Sequence, residues 1–184
     1  MSTAVPDSAP PQQFPPIDLQ WQVTSRADCP SDDSIRRWAA AALLTDTADP
    51  ESEVVTIRIV DEEEMLQANG EFRGKHKATN VLSFPADLPA EIELEYLGDI
   101  LICAPVVQSE LRLQRKSVDA HWSHMVIHGM LHLQGYDHID EQQAGIMEGL
   151  ETQILARLGF PDPYCSDLTV SVTAVHTTDE VKQS

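Results

Sequence analysis

At 184 residues the chain is long enough for one domain with a real hydrophobic core and too short for two. Its 42% hydrophobic content is that of a globular protein, and no segment approaches the roughly 18 continuous apolar residues of a membrane span. A net charge of −18 speaks against nonspecific attraction to nucleic-acid phosphates, DNA included.

The order of elements can be read along the chain. Residues 1–16 are rich in Pro, Ser and Gln and are expected to be a disordered extension. They have neither the basic start nor the apolar stretch of a secretory signal, so a cytoplasmic protein is the expectation. IDLQWQVT alternates apolar and polar residues and predicts a strand. Ser31 or Asp32 can cap a helix through IRRWAAAALL, and VVTIRIV is a β-branched strand. DEEEMLQANG predicts a short helix closed by Gly70, after which EFRGKHKA reads as a loop. TNVLSF is a strand stopped by Pro85, LPAEIELEY a polar connector, and LGDILIC a strand. Three helical runs follow: APVVQSELRLQ, SVDAHWSHMVIHGMLHLQG and DEQQAGIMEGLETQILARLGF. In the last, Ile146, Met147, Leu150, Ile154 and Leu158 recur at three- and four-residue steps and predict one buried face. Residues 165–184 read as a flexible tail, leaving a domain over 17–164. The expected fold is α+β: one four-stranded mixed sheet packed with about five helices, strand order undetermined.

Cys29, Cys103 and Cys165 are odd in number, far apart and without a CxxC, which argues against disulfides and against a thiolate metal site. Six of the twelve basic residues (Arg73, Lys75, Lys77, Arg112, Arg115 and Lys116) fall between 73 and 116, which allows either a locally basic face or a solvated scatter of charge.

The sharpest signal is HGMLHLQGYDH. His128 and His132, four residues apart, lie on one face of a helix and can converge on one ion. Gly135 can end that helix in the left-handed conformation, and the returning chain brings His138 as a third nitrogen. Three imidazoles with an open fourth position is the catalytic form of a zinc site, so one Zn2+ is the expected cofactor, although such a set also accepts nickel, copper or iron. His124, His128 and His132 together would span about 12 Å along a helix, too far for one ion. His121 and His124 are therefore read as surface residues or as supports of the site, and His176 as a tail residue.

A zinc-bound water has a pKa near 7 and can attack a carbonyl or a phosphorus. The zinc peptidases carry a glutamate directly after their first histidine, as HExxH. Gly129 stands at that position here, so a peptidase would need a carboxylate from elsewhere. Asp137 and Asp99 are candidates, for that role or for orienting a ligand histidine. Attack on a phosphodiester needs a cation to hold the phosphate, and Arg73, beside Lys75, His76 and Lys77, is the best candidate.

HGMLHLQGYDH, together with FRGKHKATNVLSFP and LGDILI, resembles the YbeY family of bacterial endoribonucleases over about residues 17–164. The resemblance implies a metal-dependent endoribonuclease specific for single-stranded RNA. It would act in maturation of the small-subunit ribosomal RNA 3′ end and in ribosome quality control. It implies zinc ligands at His128, His132 and His138 and a basic residue needed for activity at Arg73. Thr79, Asn80, Ser83 and Phe84 match the strand edge of the family's cleft, and Gly98 and Asp99 its second strand motif. The loop departs from the family pattern at His76, where an aspartate is usual. Expected partners are single-stranded ribosomal RNA, the ribosome and a basic ribosomal protein, with no membrane. Two rival readings stay open: a peptidase-like zinc hydrolase, and a ribosome-assembly factor with a structural metal.

Overall fold

The computed structural model describes residues 17–44, 55–87, 96–114 and 116–165. The expected N-terminal extension, most of the LPAEIELEY connector and all but the first residue of the expected tail, His176 included, lie outside the described residues. Among the described residues are four strands, β1 (Ile17–Gln22), β2 (Val55–Val60), β3 (Val81–Pro85) and β4 (Gly98–Cys103). Five helices accompany them: α1 (Asp32–Ala42), α2 (Glu62–Arg73), α3 (Ala104–Gln114), α4 (Val118–Leu133) and α5 (Glu141–Arg157).

The strands form one mixed sheet in the order β1-β2-β4-β3. β1, β2 and β4 run parallel, with Leu19 opposite Ile57 and Ile57 opposite Ile100. β3 pairs antiparallel to β4, with Ser83 opposite Ile100. Because side chains alternate along a strand, the sheet sorts its residues onto two faces. Ile57, Ile59, Ile100, Ile102 and Val81 join the larger core, built with α1, α3, α4 and α5 around the fully buried Trp38 and Trp122. Val60, Leu82, Leu101 and Cys103 point the other way, onto Met65 and Ala68 of α2. The α+β expectation holds, with α2 and α4 on opposite faces of the sheet.

Polar caps fix the helix starts. Ser31 accepts from the Ser34 amide, Ser117 from the Ala120 amide and Asp140 from the Gln143 amide. Gly70 does not close α2. The helix continues to Arg73, and Gly74 terminates it with φ of 64°, so Arg73 belongs to the last helical turn and not to a loop. Phe72 explains the extra turn: its ring lies 4.7 Å from that of Phe84 in β3 and ties this turn to the sheet. On α5, Met147 and Ile154 are buried as expected, but Ile146 is 51% exposed, and the charged Glu151 is fully buried instead. Of the three cysteines only Cys103 is buried.

One contact sets how deeply α4 sits. A Cβ on Gly129 would lie 2.9 Å from Ile100 Cγ2, and Ser83 Oγ donates to the Gly129 carbonyl at 3.3 Å. Only a residue without a side chain lets the helix backbone approach the sheet this closely.

Candidate metal centre

α4 presents its apolar side, including Trp122, Val126 and Met130, to the core. Its other side carries His128 and His132, with side chains 22% and 17% exposed. The helix ends in a paired cap: the Gly135 amide donates to His132 O at 3.0 Å and the Tyr136 amide to Leu131 O at 3.1 Å, with Gly135 at φ 88°. The chain then reverses, and the Asp137 carboxylate accepts from the His138 amide at 2.7 Å, which shapes the turn that returns His138 to the helix.

The three rings meet. His128 Nε2 and His132 Nε2 are 3.1 Å apart, and the rings of His132 and His138 are 5.1 Å apart. One ring nitrogen from each of the three lies within 4.8 Å of the others. A tetrahedral ion with bonds of about 2.0–2.1 Å holds its ligand atoms about 3.3 Å apart, so the His128–His132 separation fits a shared ion. The charge state fits as well. Burial, and then the charges of His128 and His138, push the His132 imidazole below its usual range, toward the neutral form that ligates. The cluster is thus a set of residues that can hold a metal ion.

The supports differ from those expected. Asp137 Oδ1 is 3.9 Å from His132 Nδ1, beyond hydrogen-bond reach. Asp99 shares the α2 face of β4 with Leu101 and lines a cleft with Arg58, Glu64, Phe72 and Phe84, so it cannot orient a histidine on the α4 face. The carboxylate that does reach the cluster is Glu151, whose Oε1 is 2.8 Å from His128 Nδ1. His124 Nε2 is 3.5 Å from the other Glu151 oxygen, which makes His124 a support of the site as one of the two expected readings had it. His121 is neither a surface residue nor a support. It is 4% exposed, and its Nε2 pairs at 2.8 Å with Glu110, which also accepts from Asn80 Nδ2 at 3.2 Å. Asn80 in turn accepts from the Val81 amide at 2.8 Å, so this network anchors the start of β3.

Sequence reasoning missed Glu151, yet a signal existed. It lies four residues after Met147 and three before Ile154, so a carboxylate occupies the apolar face of α5.

Arg73, Lys75, His76 and Lys77 are all exposed. The loop they lead into is strapped back on α2 by Asn69, whose side-chain amide donates to the Lys77 carbonyl at 2.5 Å. Among the described residues no hydrogen bond or ion pair joins Arg73 to the histidine cluster. Lys116 donates to the Pro163 carbonyl at 3.2 Å and Arg112 lies 4.0 Å from Asp28, so these two basic side chains are engaged outside the Arg73 loop.

The family model described as Endoribonuclease YbeY matches residues 22–159. The chain belongs to the YbeY family. It is 51% identical over 158 residues to the endoribonuclease YbeY of Pseudomonas entomophila strain L48, covering 85% of this chain and 99% of that one. It is 53% identical over 148 residues to the endoribonuclease YbeY of Cellvibrio japonicus strain Ueda107, covering 80% of this chain and 82% of that one. A solution structure, that of TM1509 from Thermotoga maritima, aligns with a TM-score of 0.46 at 20% identity over 82% of this chain and 99% of that one. The YbeY match takes in Arg73, all three clustered histidines and Glu151, and stops short of Tyr164. No helix among the described residues is long and apolar enough to cross a membrane.

Proposed function

We propose that this YbeY-family chain is a zinc-dependent endoribonuclease that cuts single-stranded RNA. Its functional unit spans residues 17–164, and it works in the cytoplasm on the 3′ end of small-subunit ribosomal RNA. The observation that carries the hydrolytic reading is the convergence of three imidazole nitrogens within 4.8 Å. The RNA substrate is supported by the relatives' name, endoribonuclease, and by the family motif around Arg73.

His128, His132 and His138 hold the ion as neutral imidazoles. When bound, the ion supplies Lewis acidity, polarising a phosphoryl oxygen and acidifying water. Arg73 grips the scissile phosphate through its planar fork and offsets the charge that builds on it, and Lys75 and Lys77 extend that grip along the backbone. β3 leads from this loop past α4, where Ser83 touches Gly129. Gly129 also weighs against the peptidase alternative: the position of the peptidase glutamate is filled by Ile100.

Metal analysis alongside RNA cleavage tests the reading. The wild type is expected to hold one zinc per chain and to release RNA fragments without cutting peptides. His128→Ala is expected to lose both zinc and cleavage, while Arg73→Ala keeps the zinc and loses at least about 2 kcal/mol of transition-state stabilisation, or some thirtyfold in rate. Unchanged cleavage by Arg73→Ala removes the residue from the mechanism. Absence of any nuclease activity with ribosome binding intact favours an assembly factor with a structural metal. Product ends separate the nucleophiles: a 2′,3′-cyclic phosphate marks the RNA 2′-hydroxyl. A basic ribosomal protein is the partner proposed to bring this −18 chain to RNA, and salt is expected to weaken that association.

A further inference from the structure

Glu151 is a fully buried carboxylate, and such a group is tolerated only when its oxygens are satisfied. Oε1 faces His128 Nδ1 at 2.8 Å. Oε2 accepts from the Tyr164 hydroxyl and stands 3.5 Å from His124 Nε2. Tyr164 comes from the segment behind α5, and that segment is fastened on several sides. The Tyr164 amide donates to Asp162 at 2.9 Å, Thr152 of α5 donates to the same Asp162 oxygen at 3.4 Å, and Lys116 holds the Pro163 carbonyl at 3.2 Å. The clamp on Glu151 is therefore built in advance and does not depend on a ligand.

We propose that Glu151, clamped by Tyr164, is a positioning residue that fixes His128 as the Nδ1–H tautomer and so aims its Nε2 lone pair at the three-histidine centre. This rests on the metal-centre reading above. A neutral imidazole has one N–H and one lone pair, and the hydrogen bond at one nitrogen decides which is which. A carboxylate has only acceptor oxygens, and with Oε2 already accepting from the Tyr164 hydroxyl, Oε1 accepts from His128 Nδ1, which leaves Nε2 free toward His132.

A different use of the same atoms has to be weighed. His124, His128 and Glu151 also offer ligand atoms within 4.8 Å of one another and form a second possible ion site. An ion there needs the His128 Nδ1 lone pair, which a neutral ring can give only by surrendering Nε2. The 2.8 Å between Nδ1 and Oε1 is the length of a charge-assisted hydrogen bond and short of the roughly 3.3 Å edge of a zinc tetrahedron. The geometry favours one ion and a carboxylate behind it.

The test uses the full chain, with zinc as the probe. Long-range proton–nitrogen NMR of the metal-free protein is expected to show His128 protonated at Nδ1, and the variant Glu151→Ala is expected to lose that preference. Zinc affinity by chelator competition should fall about 10- to 100-fold for Glu151→Gln, and further for Glu151→Ala. Tyr164 is 44% exposed, so Tyr164→Phe keeps the fold and should weaken zinc several-fold with its circular dichroism unchanged. A wild-type His128 protonated at Nε2, wild-type zinc affinity in both Glu151→Gln and Tyr164→Phe, or a second equivalent of zinc lost in His124→Ala would each overturn the inference. A wild type with the expected tautomer that takes up no zinc sinks the metal-centre reading and leaves the Glu151–His128 coupling standing.

Discussion

A methyl group added at Gly129 would press on the Ile100 side chain at 2.9 Å, so Gly129→Ala forces either α4 or Ile100 to shift. Overpacking of this kind costs about 1–3 kcal/mol, more than the ~1 kcal/mol that alanine gains in helix propensity. Chemical denaturation is expected to show net destabilisation, and Ile100→Val in the same chain should recover part of it, a coupling that a double-mutant cycle measures. At this scale the sequence was readable where the chemistry is local. His128 and His132 are one helical turn apart and His138 follows a glycine stop, so three candidate ligands are legible within eleven residues. Glu151 was not, because it meets His128 only through the packing of α5 on α4, 23 residues away. His121 failed for a related reason: its burial depends on Glu110 and Asn80, contributed by α3 and the start of β3.

Among the elements, the caps carry the sharpest expectations. Asp140 holds the start of α5 directly after the turn that carries His138. Asp140→Ala is expected to cost about 1 kcal/mol, seen as a fall of about 2–4 °C in melting temperature for a chain of this size. Gly74→Ala is expected to cost a similar ~1 kcal/mol, because alanine must enter the left-handed region at φ 64°. Gly70→Ala should be neutral or stabilising, since Gly70 lies inside the helix and a Cβ there meets nothing closer than His76 Nδ1 at 3.6 Å. The opposite signs of these two glycine replacements, read by thermal melts, check the corrected end of α2. Local propensity placed that end at the first glycine of a polar run. The pairing of Phe72 with Phe84 moved it by one turn, and no window confined to residues 61–77 contains that partner.

For the molecule as a whole, two carboxylates tie α4 to its neighbours: the partly buried Glu110 through His121 and the fully buried Glu151 through His128. Burial opposes ionisation of Glu110, yet its hydrogen bonds from His121 and Asn80 win and hold its carboxyl below the usual range. With both carboxyls depressed in the folded state, the unfolded chain binds more protons as the pH falls through the carboxylate range. Their contribution is therefore full above the unfolded value near 4.5 and is lost as the pH falls toward the folded value, about 2 for Glu151. Melting temperature is expected to fall steadily from pH 5 to pH 2.5, and more shallowly in Glu151→Gln. A variant curve parallel to the wild type would remove Glu151 as a source of the dependence. Fold class was visible from the alternation of strands and helical runs. Strand order was not, because the β2–β4 pairing skips β3 and joins residues more than forty positions apart, such as Val55 and Gly98.

The contact between Gly129 and Ile100 also bears on how such a fold can change its chemistry. Placing a carboxylate directly after His128 is one substitution on paper. In this architecture the space must be opened first, by trimming Ile100, which leaves a cavity costing about 2–5 kcal/mol before the new side chain fills any of it. The first step is a loss with no catalytic return, and the second is blocked without the first. Directed evolution that selects peptide cleavage from this scaffold by single changes is expected to stall at position 129, whereas a library that varies positions 100 and 129 together has a path.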